Sequence, residues 1–114
     1  MITQDNTLIL VAINDELPND LLPGWKILNT GVGKINATYQ TTRAIYKFKP
    51  DYIINDGSAG SLNSKIFGLQ QVTKFVQRDM QAEQLGFKVG ETPFDKINII
   101  TTSSEGISCS TGDN

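Results

Sequence analysis

The sequence predicts an α/β fold, because strand-like apolar runs alternate with glycine-containing turns and one segment of helical periodicity. Residues 7–13 (TLILVAI) form a continuous apolar run, and residues 25–29 (WKILN) and 51–55 (DYIIN) form two shorter ones. Lys34 to Lys49 lies between the second and third runs and has the spacing of an amphipathic helix. The order strand, glycine turn, helix, strand is a βαβ unit, whose crossover is expected to be right-handed.

The boundaries of these elements are marked by turn-forming residues. Residues 14–24 contain two prolines and a glycine and therefore predict a loop after the first strand. Pro50 ends the helix, since proline cannot continue the helical hydrogen bonding and restricts the residue before it. The helix has one less polar face, formed by residues at spacings of three and four. Its members are Ile35, Tyr39, Thr42, Ile45 and Tyr46.

The second half of the chain predicts strands but no convincing helix. Residues 70–77 (QQVTKFVQ) indicate one strand, and residues 97–102 and 107–111 indicate two more, joined as a hairpin by the turn at 103–106. A parallel sheet needs layers on both of its faces. One helix is too few for that, so we expect a helix-poor part of a larger α/β domain.

Composition excludes several classes of function. The chain has 114 residues, a net charge of −2 and no histidine, so Ser-His and Cys-His catalysis cannot be built from it. The acidic balance argues against nucleic-acid binding, and no apolar segment approaches the length of a membrane span. With Cys109 as the single cysteine, we expect a reducing, cytoplasmic location, no structural metal and no cofactor.

Two of the predicted strands end in turns built from small residues. Thr30-Gly-Val-Gly-Lys34 follows the second strand, and Asn55-Asp-Gly-Ser-Ala-Gly-Ser61 follows the third. Open α/β sheets bind ligands at the carboxyl ends of their strands, so these turns indicate a site for a polar small molecule. Each turn alone has a second interpretation, a tight connection that uses glycine for positive φ. Gly31-Val-Gly33 lacks the third glycine of the dinucleotide fingerprint.

Three further features each allow two interpretations. Glu16 follows the first strand and is either part of a solvated acidic loop or a carboxylate placed to accept a proton from water. Arg78-Asp79 is either a surface pair or a structural bridge near the site, and we favour the bridge. Cys109 lies in an apolar run and is interpreted as a small core residue.

Taken together, the motifs resemble the nucleoside phosphorylase and nucleosidase superfamily, most of all the methylthioadenosine/S-adenosylhomocysteine nucleosidases. Four segments carry the resemblance, in order and spacing, across nearly the whole chain, and residues 85–93 (LGFKVGETP) fit a loop of that family. The four are Ala12-Ile-Asn-Asp-Glu16, Gly31-Val-Gly-Lys-Ile-Asn-Ala37, Lys49-Pro-Asp-Tyr-Ile-Ile-Asn-Asp-Gly-Ser-Ala-Gly60 and Ser110-Thr-Gly-Asp113.

The resemblance implies an enzyme that cleaves the N-glycosidic bond of a purine nucleoside through an oxocarbenium-like transition state. It implies that Glu16 deprotonates the attacking water and that a set of small and apolar residues lines the nucleoside. That set is Ile13, Val32, Ser58, Ala59 and Gly60. It also implies a homodimer in which a hydrophobic loop, with Leu85, Phe87 and Pro93, reaches the site of the neighbouring subunit.

The resemblance also sets the expected fold and the open alternatives. We expect residues 1–114 to be the N-terminal half of one mixed-sheet α/β/α phosphorylase-like domain, since family members are about twice as long and carry the ribose-binding Glu and leaving-group Asp in their C-terminal half. The loop at residues 14–16 has two acids and no arginine, which favours water over phosphate as the nucleophile. A phosphate-dependent phosphorylase, or an inactive fragment that at most binds a nucleoside or a partner, remains the alternative.

The departures from the family pattern concern three positions. Asp56 stands where threonine is common, Ser61 where glycine is common, and Arg78 where histidine often precedes the aspartate. These differences bear on substrate preference. The resemblance implies that the pocket for the 5′-substituent depends largely on the C-terminal half of the family domain, so residues 1–114 do not define that substituent.

Overall fold

The computed structural model describes residues 1–95 and 97–114. The chain divides into two compact units, residues 1–60 and residues 61–114, called here the N-terminal unit and the C-terminal unit. Within the described residues, each unit contains one small sheet of three strands, and the α-helix, α1 (Lys34–Phe48), lies in the N-terminal unit. The expected helix-poor α/β architecture is therefore confirmed.

The N-terminal unit is a parallel βαβ arrangement. Its elements are β1 (Thr7–Val11), β2 (Lys26–Asn29), α1 (Lys34–Phe48) and β3 (Tyr52–Asn55). β1 lies between β2 and β3 in a sheet of order β2-β1-β3, and both pairings are parallel. The three predicted strands and the predicted helix are confirmed, with ends that move by at most two residues.

The core of this unit is built around the central strand. All five residues of β1 are buried, which explains why its sequence is a continuous apolar run rather than an alternating one. Leu8 and Leu10 point to the same face and form a cluster with Ala44 of α1, against which Leu28 packs. Because Ile9 and Val11 are also buried, β1 is covered on both of its faces.

α1 buries a different face from the less polar one that the sequence indicates. Ala44 is the buried residue of the helix, whereas Ile35 is 84% exposed and Tyr46 is 79% exposed. A small side chain at the contact lets the helix backbone approach the sheet closely, and the larger side chains then face outward. The helix ends at Lys49, which adopts a left-handed conformation with φ of 47°. Among the described residues, no helix is long and apolar enough to cross a membrane.

The C-terminal unit is a mixed sheet centred on β4. Its strands are β4 (Val72–Gln77), β5 (Ile100–Thr101) and β6 (Ile107–Thr111), and a single 3-10 turn covers Glu83–Leu85. The strand order is β5-β4-β6, with β5 antiparallel and β6 parallel to β4. The register between β4 and β6 shifts between Val72 and Lys74, which marks a bulge or irregularity at Thr73.

The hairpin expected between the last two strands is wrong, because β5 and β6 flank β4 instead of pairing with each other. The backbone N–H of Thr102 donates to the carbonyl of Thr73 (2.8 Å), and the N–H of Ile107 donates to the carbonyl of Gln71 (3.1 Å). The segment between them therefore passes from one edge of β4 to the other. Gly106 allows this passage, since it has φ of +124° and a Cβ there would lie 2.6 Å from Thr73 Cγ2.

Candidate functional site

The carboxyl ends of the three parallel strands of the N-terminal unit bring three loop segments to one edge of its sheet. Residues 12–16 follow β1, residues 30–33 follow β2 and residues 56–60 follow β3. Backbone hydrogen bonds hold two of the segments to the central strand: the N–H of Thr30 donates to Val11 (2.8 Å) and that of Asp56 donates to Leu10 (2.9 Å). This edge is where open α/β sheets bind ligands.

The Glu16 carboxylate joins the segment after β1 to the segment after β3. Its Oε1 accepts two hydrogen bonds from Ser58, one from the hydroxyl at 2.7 Å and one from the backbone N–H at 3.0 Å. Its Oε2 accepts a hydrogen bond from the N–H of Ala12 at 3.2 Å. A Cβ at Gly57 would lie 3.8 Å from both carboxylate oxygens, an ordinary van der Waals contact, so Gly57 lies directly beside the Glu16 carboxylate.

These hydrogen bonds favour the ionised form of Glu16. The Ser58 hydroxyl, followed by the Ser58 N–H, lowers the pKa of Glu16 below its ordinary value, and the N–H groups of Ala12 and Ile13 add to this, while slight burial opposes it. Glu16 is therefore an ionised carboxylate at neutral pH. A half-buried, ionised carboxylate with one lightly engaged oxygen can accept a proton from a bound water molecule.

The glycine turn after β2 is explained first by its backbone geometry. Gly31 and Gly33 have φ of +79° and +93°, which L-residues with a Cβ rarely adopt. Gly33 is the N-cap of α1 and no side chain caps the helix there, while Asn36 donates its side-chain N–H to the Val32 carbonyl (2.7 Å). The tight-turn interpretation of this motif is supported, and its amides lie at the same sheet edge as Glu16.

The remaining candidate residues of the N-terminal unit lie on exposed loop segments. Ile13 is 46% exposed and Val32 is 71% exposed, and Ala59 and Gly60 are exposed after β3. A Cβ at Gly60 would meet nothing within 4 Å, so local sterics do not require glycine there. The structure brings Ser58 into contact with Glu16, a contact that sequence reasoning did not predict.

The three candidates for a neighbouring-subunit pocket lie in the C-terminal unit. Leu85 is 74% exposed at the end of the 3-10 turn, Phe87 is half-buried and Pro93 is exposed. The N–H of Phe87 donates to Ala82 at 3.3 Å, which folds this loop back on itself. Among residues 1–95 and 97–114, no group of three or more Cys, Asp or Glu side chains is arranged to hold a metal ion.

Arg78 and Asp79 form a structural bridge, as favoured from the sequence. The Asp79 carboxylate accepts the N–H of Asp113 (2.9 Å), and the Arg78 guanidinium donates to the backbone carbonyl of Asn114 (3.0 Å) and to its side-chain oxygen. A Cβ at Gly112 would lie 2.9 Å from the Arg78 guanidinium carbon, so the arginine packs on bare backbone. Cys109 is half-buried rather than a core residue.

Comparison with known proteins confirms the resemblance over the N-terminal part of the chain. A 5′-methylthioadenosine/S-adenosylhomocysteine nucleosidase from Exiguobacterium sp. is 39% identical over 69 residues, which are 59% of this chain and 30% of that protein. The nucleosidase of the same name from Staphylococcus aureus is 42% identical over 69 residues, with the same coverage. The chain thus spans about 30% of the length of the curated relatives it matches. No protein-family profile matches the chain.

Proposed function

We propose that this chain is the N-terminal part of a purine nucleosidase, which hydrolyses the N-glycosidic bond of a 5′-substituted adenosine to free base and sugar. The names of the relatives support the nucleosidase class. The observation that carries the proposal is the Glu16 carboxylate, which two hydrogen bonds from Ser58 hold in place at the carboxyl edge of a parallel sheet. The substrate is of the methylthioadenosine or S-adenosylhomocysteine type.

In this mechanism Glu16 acts as the general base. It accepts one proton from water as the water oxygen forms a bond to the anomeric carbon of the ribose. The bond between that carbon and the purine nitrogen breaks, and its electron pair leaves with the purine, which is then protonated. General-base assistance of this kind contributes about 10²- to 10⁴-fold. The loop at residues 14–16 supplies carboxylates and an amide but no arginine, which supports water rather than phosphate as the nucleophile.

The other residues at the sheet edge are proposed to form the walls of the nucleoside site. Ile13 and Val32 offer exposed apolar surface, and Ala59 and Gly60 offer backbone amides and little side-chain bulk. We further propose a homodimer in the cytoplasm, in which Leu85, Phe87 and Pro93 reach the site of the neighbouring copy. Residues 1–114 then form the N-terminal half of one phosphorylase-like domain, with no cofactor.

Hydrolysis is tested by adenine release from methylthioadenosine in phosphate-free buffer. The assay uses the protein at its natural length, established by intact mass, with the 114-residue chain alongside. Glu16→Gln should lower kcat by about 10²-fold or more, since it removes the proton acceptor, whereas Asp15→Asn, the matched control on the same exposed loop, should not. Adenine release that depends strictly on added phosphate would assign the protein to the phosphorylases instead.

A second candidate function is suggested by the short match, since the chain spans about 30% of the length of its relatives. In this alternative the 114-residue chain is catalytically silent and at most binds a nucleoside or a partner. Turnover of methylthioadenosine by a chain of this mass on its own would refute it. Saturable binding of methylthioadenosine without adenine release would support it.

A further inference from the structure

The two oxygens of the Glu16 carboxylate are engaged unequally. Oε1 accepts both the hydroxyl and the N–H of Ser58, at 2.7 and 3.0 Å, so two donors occupy the lone pairs of that oxygen. Oε2 accepts the N–H of Ala12 at the longer distance of 3.2 Å, and the N–H of Ile13 is a weaker donor to the same carboxylate. Oε2 is therefore the more weakly engaged of the two oxygens and the better placed to accept a further donor.

We propose that Ser58 is a positioning residue for Glu16, and that it leaves Oε2 as the oxygen that accepts a proton from the attacking water. The proposal deepens the proposed function and rests on it for the identity of that water. It is anchored in contacts within residues 12–58, since Ala12 and Ser58 hold the carboxylate from the ends of two parallel strands. Two charge-assisted hydrogen bonds from one residue fix both the position and the orientation of the carboxylate.

This role differs from the one that the resemblance implies for Ser58. As a wall of the nucleoside site, Ser58 would donate a hydrogen bond to the sugar. In the structure, the hydroxyl and the N–H of Ser58 both point to Glu16. With both donors engaged, Ser58 can offer a ligand acceptors but no hydrogen-bond donor.

The electrostatic surroundings make the Ser58 contact the main control on Glu16. Hydrogen bonds from Ser58 are the largest causes that lower the pKa of Glu16, and among residues 1–95 and 97–114 no neighbouring charge is a cause of that shift. The carboxylates on the two segments that meet at Glu16 are Asp15 and Asp56, both on exposed positions. Loss of the Ser58 hydroxyl should therefore raise the pKa of Glu16 without a compensating charge.

The first test measures Glu16 directly in the 114-residue chain. The side-chain carboxyl of Glu16 is followed by ¹³C NMR from pH 2 to pH 7 in wild type, Ser58→Ala, Ser58→Thr and Ser61→Ala. Ser61 is the matched control, because its hydroxyl contacts the Asn63 carbonyl and no carboxylate. The titration midpoint should rise in Ser58→Ala, return towards the wild-type midpoint in Ser58→Thr, and stay unchanged in Ser61→Ala.

The second test separates positioning from substrate contact in the natural-length protein. For a positioning residue, Ser58→Ala lowers kcat by roughly tenfold, the scale of one charge-assisted hydrogen bond, leaves KM nearly unchanged, and moves the acid limb of the pH profile to higher pH. For a substrate contact, Ser58→Ala raises KM and leaves the pH profile where it is. Ser58→Thr should restore kcat.

The outcomes distinguish this proposal from the proposed function. A midpoint for Glu16 that does not move in Ser58→Ala, or a rise in KM with an unmoved pH profile, overturns the positioning role. If wild-type protein releases no adenine, the hydrolytic function is wrong. The NMR titration then still decides whether Ser58 controls Glu16.

Discussion

Gly106→Ala tests the path by which the chain passes over β4 between the last two strands. A Cβ at this position would lie 2.6 Å from Thr73 Cγ2 and 2.7 Å from the Gln71 carbonyl oxygen. The backbone there has φ of +124°, which a residue with a Cβ rarely adopts. The substitution therefore adds both steric overlap and backbone strain in the C-terminal unit.

The expected cost is the sum of these two effects. Backbone strain at positive φ costs of order 1–3 kcal/mol, and the insertion of a methyl group into occupied space costs about 1–3 kcal/mol. We therefore expect Gly106→Ala to reduce the stability of the C-terminal unit by roughly 2–6 kcal/mol. Gly68→Ala is the matched control, because Gly68 also has positive φ, +71°, but its Cβ would meet nothing within 4 Å.

Native-state hydrogen exchange is the suitable assay, because all the tyrosines and the tryptophan lie in the N-terminal unit and fluorescence does not report on this sheet. The amides of Thr102 and Ile107 donate to the two ends of the passage over β4. Their exchange should accelerate about 10- to 100-fold more in Gly106→Ala than in Gly68→Ala, since each 1.4 kcal/mol is a factor of about ten. Equal acceleration in the two variants would refute the steric argument.

Three further predictions concern the N-terminal unit, whose unfolding by urea is followed by the fluorescence of Trp25. Leu8→Ala should lower the free energy of unfolding by about 2–5 kcal/mol, because Leu8 is 1% exposed at the centre of the core. A smaller loss of stability would mean that the surroundings of Leu8 are less tightly packed. Lys49→Gly should raise the free energy of unfolding by about 0.5–1 kcal/mol, since Lys49 is left-handed at the helix end, and a decrease would contradict this. Ser58→Ala should lower the free energy of unfolding by about 1 kcal/mol at pH 7, because it removes one exposed charge-assisted hydrogen bond. The pKa of Glu16 is lower in the folded protein than in the unfolded chain. The loss of stability in Ser58→Ala is therefore complete above the pKa of Glu16 in the unfolded chain and disappears as the pH falls through its pKa in the folded protein. A loss that persists at pH 2 would disprove the link to Glu16.

The N-terminal unit could be predicted from sequence because each of its elements is specified locally. Residues 8–11 of β1 are all apolar since the strand is buried on both faces, and Pro50 marks the end of α1. The buried face of the helix could not be predicted from periodicity alone. Ala44 contributes little to a hydrophobic pattern, yet its small side chain is what allows close contact with Leu8 and Leu10.

The C-terminal unit shows where local patterns fail. The turn at residues 103–106 has hairpin composition, but strand pairing is decided by β4, which lies far away in sequence and takes both later strands as neighbours. The same limit applies to the site. The place of Glu16 after β1 left two interpretations open, and its role came from the family resemblance. Its contact with Ser58, 42 positions later, depends on the parallel pairing of β1 and β3.

The pairing of β3 has a practical consequence for handling the protein. Within the part of the chain that the structure describes, β3 pairs with β1 alone, and all four of its residues are exposed. The outer edge of such a strand is a template for adding strands from other molecules. We expect concentrated solutions of the 114-residue chain to aggregate through this edge, and a charge introduced by Ile53→Lys to slow the growth of light scattering.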